Sequence, residues 1–133
     1  MAERAVFVGF GQPVRGREER AIDVFNEFVG LLGRMQGDGR IEGMDVCLLD
    51  AHGGDLGGFF MIHGSVQQCG ALNEDEEFRR ASIDASLIVE NFGVVPARTG
   101  ESVGQEMAMY TQAVQKVGVG AHALAGAGAR NGG

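Results

Sequence analysis

Apolar residues fall along this chain in two rhythms: short dense runs, and longer stretches stepped by threes and fours. Ala5-Val6-Phe7-Val8-Gly9-Phe10 is dense at odd and even positions alike, which predicts a strand with two apolar faces. From Arg17 to Met35 the rhythm changes. Ile22, Phe25, Phe28 or Val29, Leu32 and Met35 form one helical stripe, Glu18 and Glu19 sit in the first turn where the helix dipole favours acids, and Gly37 and Gly39 stop it.

The central stretch predicts a hairpin. Gly43-Met44-Asp45-Val46-Cys47-Leu48-Leu49-Asp50 and Gly58-Phe59-Phe60-Met61-Ile62-His63-Gly64 are dense apolar runs of strand length. Between them, His52-Gly53-Gly54-Asp55-Leu56-Gly57 is rich in residues that tolerate positive φ or close turns through a side chain. With Ala51 facing Gly58, Leu48 lies opposite Met61 and Val46 opposite His63. One face then carries Met44, Val46, Leu48, Asp50, Phe59, Met61 and His63, and the other Asp45, Cys47, Leu49, Ala51, Phe60 and Ile62. Both faces are mostly apolar, so both need a cover.

After the hairpin, Ser65 is expected to cap a short helix through Leu72, and Asn73 a second over Glu74–Arg80, acids first and bases last. Ser86-Leu87-Ile88-Val89 and Phe92-Gly93-Val94-Val95 read as one last strand, bulged at Glu90-Asn91, with Pro96 at its end or on a sheet edge. From Glu101, the stripe Val103, Met107, Tyr110, Val114 and Val117 predicts a further helix. Residues 118–133 are nearly all Gly, Ala and Asn, with no periodicity, and are expected to form a mobile tail behind a domain spanning 1–117.

The order strand, helix, strand, strand, helix, strand is the split βαβ, or ferredoxin-like, motif: an α+β fold whose helices cover one face of a four-stranded antiparallel sheet. Here the other face would be apolar too, and a twofold homodimer through that open sheet face is the economical way to cover it.

Composition changes this picture little. The 133 residues suffice for one core without staples, and the 44% hydrophobic content is ordinary. The net charge of −7 argues against nucleic acid, whose binders need a basic footprint. No apolar run is long enough to span a membrane, and Met1-Ala2-Glu3-Arg4 does not begin a signal peptide, so a cytoplasmic protein is expected. Cys47 and Cys69 lack metal-ligand spacing, and Cys47 reads as a small core residue.

The element order, the Gly-rich hairpin, the helix start Asp75-Glu76-Glu77-Phe78-Arg79-Arg80 and the ending Gly93-Val94-Val95 together resemble small dimeric α/β-barrel proteins of the ferredoxin-like class. The resemblance spans roughly Ala5 to Val117 and points to an uncharacterised bacterial family. Antibiotic-biosynthesis monooxygenases, YCII-related proteins and stress-responsive barrel proteins are related to it in fold. It implies a homodimer with a pocket between the sheet and the helices of each subunit. No catalytic motif of those relatives maps onto residues here, and members of such a superfamily perform unrelated chemistry.

Candidate chemistry is sparse. His63, beside Phe59 and Met61, suits an acid–base group or a ligand to a metal or haem iron, while the commoner role of such a residue is a half-buried histidine bonded to a backbone or carboxylate partner. In the assumed register Asp50 shares its face. Glu90 interrupts an apolar run, either at a bulge or pointing into a pocket, and Tyr110 takes an inward stripe position on the last helix. The candidate ligand-binding set is therefore Asp50, Phe59, Met61, His63, Glu90 and Tyr110, with His63 the catalytic candidate. No cofactor or metal is expected: His52 and His63 are too far apart along the hairpin to share an ion, and the Gly-rich turn lacks the ending of a phosphate loop. Two functions remain. One is a small-molecule binder or cofactor-independent enzyme of oxygenase, isomerase or cyclase type, and the other a non-catalytic homodimeric regulatory or partner-binding module.

Overall fold

The structure, a computed structural model, describes residues 3–128, of which 119–128 as backbone only. Residues up to Thr99 form one unit: β1 (Arg4–Phe10), α1 (Glu18–Gly37), β2 (Gly43–Leu48), β3 (Gly58–Gly64), α2 (Val66–Glu74), α3 (Glu76–Ser86) and β4 (Gly93–Arg98). The second unit contains α4 (Glu101–Gly128). No helix among the described residues is long and apolar enough to cross a membrane.

The four strands are antiparallel in the order β2-β3-β1-β4, so β1 is central and pairs with both β3 and β4. Val6 faces Ile62 and Pro96, and Val8 faces Phe60 and Val94. Because side chains alternate, Val6, Val8, Phe60 and Ile62 share one face. They are buried against Phe28, Leu32 and Met35 of α1, with Leu72 of α2 and Phe78 of α3 completing the core. Each such side chain contributes about 1.5–3 kcal/mol when removed from water. Within this unit α1, α2 and α3 thus share one apolar layer with one face of the sheet.

The hairpin register differs from the expected one by three residues. Leu48 lies opposite Gly58, Val46 opposite Phe60 and Gly43 opposite His63. Gly58 explains the choice. A Cβ there would come within 2.7 Å of the Cys47 carbonyl oxygen and 2.8 Å of the Phe10 ring, so only glycine fits opposite Leu48. Leu49, Asp50 and Ala51 consequently leave the strand and join the connection, which Leu49 N–H closes on Gly57 O at 2.8 Å. An odd shift also exchanges faces. Met44, Val46 and Leu48 point with Phe60 and Ile62 toward the helices, while Asp45 and Cys47 join Phe59, Met61 and His63 on the opposite face.

Helices α2 and α3 begin where short polar side chains can serve the free N–H groups. Ser65 Oγ accepts from Gln68 N at 3.1 Å while Gln68 Oε1 accepts from Ser65 N at 2.8 Å, a reciprocal cap on α2. The cap of α3 is Asp75, whose Oδ1 accepts from Phe78 N at 2.9 Å, and not Asn73. Helix α3 continues past Arg80 to Ser86 because Phe78, Ala81 and Ala85 keep one stripe against the core. The stretch 86–89 is therefore no strand, and Asn91 (φ 55) turns the chain into a shorter β4. Pro96 lies within β4, an edge strand. Helix α4 is likewise longer than its apolar stripe, running through the Gly- and Ala-rich stretch to Gly128. The part of the expected tail at 129–133 lies outside the described residues.

Candidate functional site

Beyond Val8 the central strand ends in Phe10, and the chain leaves the sheet through Gly11 and Pro13. This segment is clamped to the connection between α3 and β4. Gly11 N–H donates to Glu90 O at 2.7 Å, Glu90 N–H to Gln12 O at 2.8 Å and Val14 N–H to Ile88 O at 2.8 Å. The clamp holds Ile88 and Phe92 across from the first turns of α1, and a cavity of about 360 Å³ lies between them and the sheet.

Its lining follows from the sequence rhythms. Ala21, Val24, Phe25 and Phe28 come from the inward stripe of α1, Phe60 from β3, and Ala85 from the end of α3. Phe60 sits at the centre of an aromatic group: its ring centroid is 5.1 Å from Phe28, 5.5 Å from Phe25 and 5.8 Å from Phe10. Such spacings suit offset and tilted ring contacts. The rim is marked by the exposed residues Glu18, Ile22 and Leu48, and Glu18 is the one charged residue in the lining. A cavity of this size and polarity suits a small apolar ligand.

The sequence-derived candidates do not converge on it. Phe59, Met61 and His63 come together, but on the opposite sheet face. There His63 Nε2 is 2.8 Å from Asp45 Oδ2, and Phe59 stacks on Phe7 at 5.2 Å. Asp50 is exposed in the hairpin connection, not on the His63 face. Glu90 is exposed too, and its backbone, not its carboxylate, serves the clamp. Tyr110 is 64% exposed on α4, where an inward position was expected. His52 is occupied locally: Gly54 N–H donates to its Nδ1 at 3.1 Å, which leaves Nε2–H to donate to Leu56 O at 2.7 Å. Among the described residues no three His, Cys, Asp or Glu side chains group as a metal ion requires.

Reading the sequence missed Phe10, Phe25, Phe28, Phe60 and Phe92 as a group. Five of the eight phenylalanines line this one cavity, yet they are spread over β1, α1, β3 and the α3–β4 connection, so no local spacing links them.

This topology has counterparts among solved structures. A crystal structure of a dimeric protein of unknown function and ferredoxin-like fold from Bacteroides fragilis matches with a TM-score of 0.54 and 12% identity, over 72% of this chain and 96% of that one. An antibiotic-biosynthesis-monooxygenase-like protein from Chloroflexus aurantiacus matches with a TM-score of 0.43 and 9% identity, over 73% and 93%. No protein-family model and no curated protein matches the chain. The chain has the ferredoxin-like fold. At such identities the likeness reaches the fold and stops there.

Proposed function

We propose that the chain binds a small apolar molecule in the cavity between α1, the α3–β4 connection and the sheet, and that it works as a homodimer joined through the open sheet face. The cavity carries the first part: about 360 Å³ lined by aromatic and aliphatic side chains is in the size range of small-molecule sites. The open face supports the second. It presents Phe7, Phe59, Met61 and Val95, and no helix of the same unit packs on it. The dimeric ferredoxin-like neighbour agrees with that reading.

Binding, rather than chemistry within the cavity, is the reading adopted. The lining contains no histidine, cysteine, serine or aspartate, and His63 stands across the sheet. A homodimeric partner-binding module is the second reading. It is favoured by the apolar stripe of α4, since Val103, Met107, Tyr110, Val114 and Val117 are all exposed.

Fluorescence titration with the neutral probe N-phenylnaphthylamine separates the two readings. Saturable enhancement in the wild type, lost in Ala85→Phe with an unchanged far-ultraviolet spectrum, supports the cavity. Enhancement that survives Ala85→Phe moves the binding surface elsewhere. Sedimentation of the wild type and of Phe59→Asp tests the dimer, whose prediction is that the variant alone runs as a monomer.

A further inference from the structure

The one charge on the cavity rim is held in place. Gly16 N–H donates to Glu18 Oε1 at 3.0 Å, from a turn that Gly16 can make because its φ of 93 suits glycine. Oε2 has no hydrogen-bond partner among the described residues. The two neighbouring bases do not neutralise this carboxylate. Arg17 directs one Nη1–H to the Leu87 carbonyl oxygen and keeps its own charge, and neither it nor Arg15 is ion-paired with Glu18 among the described residues. Every other lining side chain is apolar, so Glu18 is the one charged group in the cavity wall among the described residues.

We infer that Glu18 sets the ligand class: the cavity takes a cationic amphiphile, an apolar body seated among Phe25, Phe28 and Phe60 with one ammonium group at the rim against the Glu18 carboxylate. The inference rests on the cavity reading above and adds the ligand's polar end. Three features of the site agree with it. The body of such a ligand replaces water against phenylalanine rings, where burial is favourable. Its ammonium donates to a carboxylate oxygen that has capacity left, a charge-assisted bond. The chain's net charge of −7 draws cations toward it and repels anions of the same shape. A carboxylate-ended ligand would instead bring like charges together at the rim, and a wholly neutral one would leave Glu18 Oε2 without a partner from the ligand.

The test uses three probes with one body and different ends, phenylbutylamine, phenylbutanol and phenylbutyrate, titrated by calorimetry into the full chain. The amine is expected to bind about fivefold more tightly than the alcohol, as a partly exposed ion pair allows, and the carboxylate most weakly. Glu18→Gln keeps an amide oxygen for Gly16 N–H while removing the charge. It is expected to bring the amine down to the alcohol and leave the alcohol unchanged. If the alcohol equals the amine in the wild type, or the amine keeps its advantage in Glu18→Gln, the inference fails while the cavity reading stands. Amine binding that persists in Ala85→Phe overturns it as well, because the amine then sits elsewhere. If none of the three binds, the cavity reading falls with it.

Discussion

His63 Nε2 lies 2.8 Å from Asp45 Oδ2, and the sheet stands between that pair and the cavity. The two residues are diagonal neighbours on β2 and β3, placed together by the register that sets Gly43 opposite His63. Their side chains are 30% and 77% exposed, so solvent screens the attraction. Asp45→Ala is expected to cost less than about 1 kcal/mol in urea unfolding. N-phenylnaphthylamine affinity should stay unchanged in both Asp45→Ala and His63→Ala, since neither residue lines the cavity.

A single methyl group at position 11 should undo the clamp. A Cβ on Gly11 would stand 2.7 Å from the carbonyl oxygens of both Asp55 and Glu90, and backbone cannot yield as a flexible side chain can. Gly11→Ala is expected to lower stability by about 1–3 kcal/mol, the usual cost of overpacking. Denaturant unfolding measures the loss, and probe binding should weaken with it because Gly11 also lines the cavity.

The two cysteines should separate in labelling. Cys69 is buried in the core, and that burial pushes its thiol up and keeps the reactive thiolate scarce. Cys47 is half-buried on the open sheet face. Maleimide is expected to modify Cys47 first in the folded protein and both residues in denaturant. Labelling of Cys47 should also slow as protein concentration rises, if copies meet through that face.

Acid should loosen one end of the helical layer. The hydrogen bond from the Arg40 side chain holds the Asp38 carboxyl below its ordinary value of 3.8, against a smaller opposing effect of desolvation. Arg40 also donates to Asp75 and Glu77 at the start of α3. A carboxyl depressed by folding adds stability above its unfolded value and loses that share as pH falls through its folded value. Asp38→Asn should therefore melt below the wild type at neutral pH, and the gap should close on going well below about pH 4.

The sequence carried the fold further than the site, for physical reasons that differ by element. Strand β1 was legible as a dense apolar run and helix α1 as a long stripe, and Ser65 because a cap is a local signal. The register was not legible. It is set by the space beside Gly58, which depends on Phe10 from a distant strand, and a loop of several residues fixes no register by itself. The run 86–89 looked like a strand because its β-branched residues are needed in a buried connection, where tertiary packing overrides local preference. Both errors bear on the site. Shifting the hairpin by three residues moves His63 away from Leu48 and places Phe60 beside it, and dissolving the false strand frees Ile88 and Val89 to wall the cavity.

Pro96 has a consequence for the free border of the sheet. An edge strand accepts proline because the missing amide hydrogen is one that would point away from the sheet. A foreign strand laid alongside β4 would therefore find a ring where it wants a donor, which weakens any ladder running on from molecule to molecule. Growth by that border is disfavoured, and fibre-like stacking along it with it.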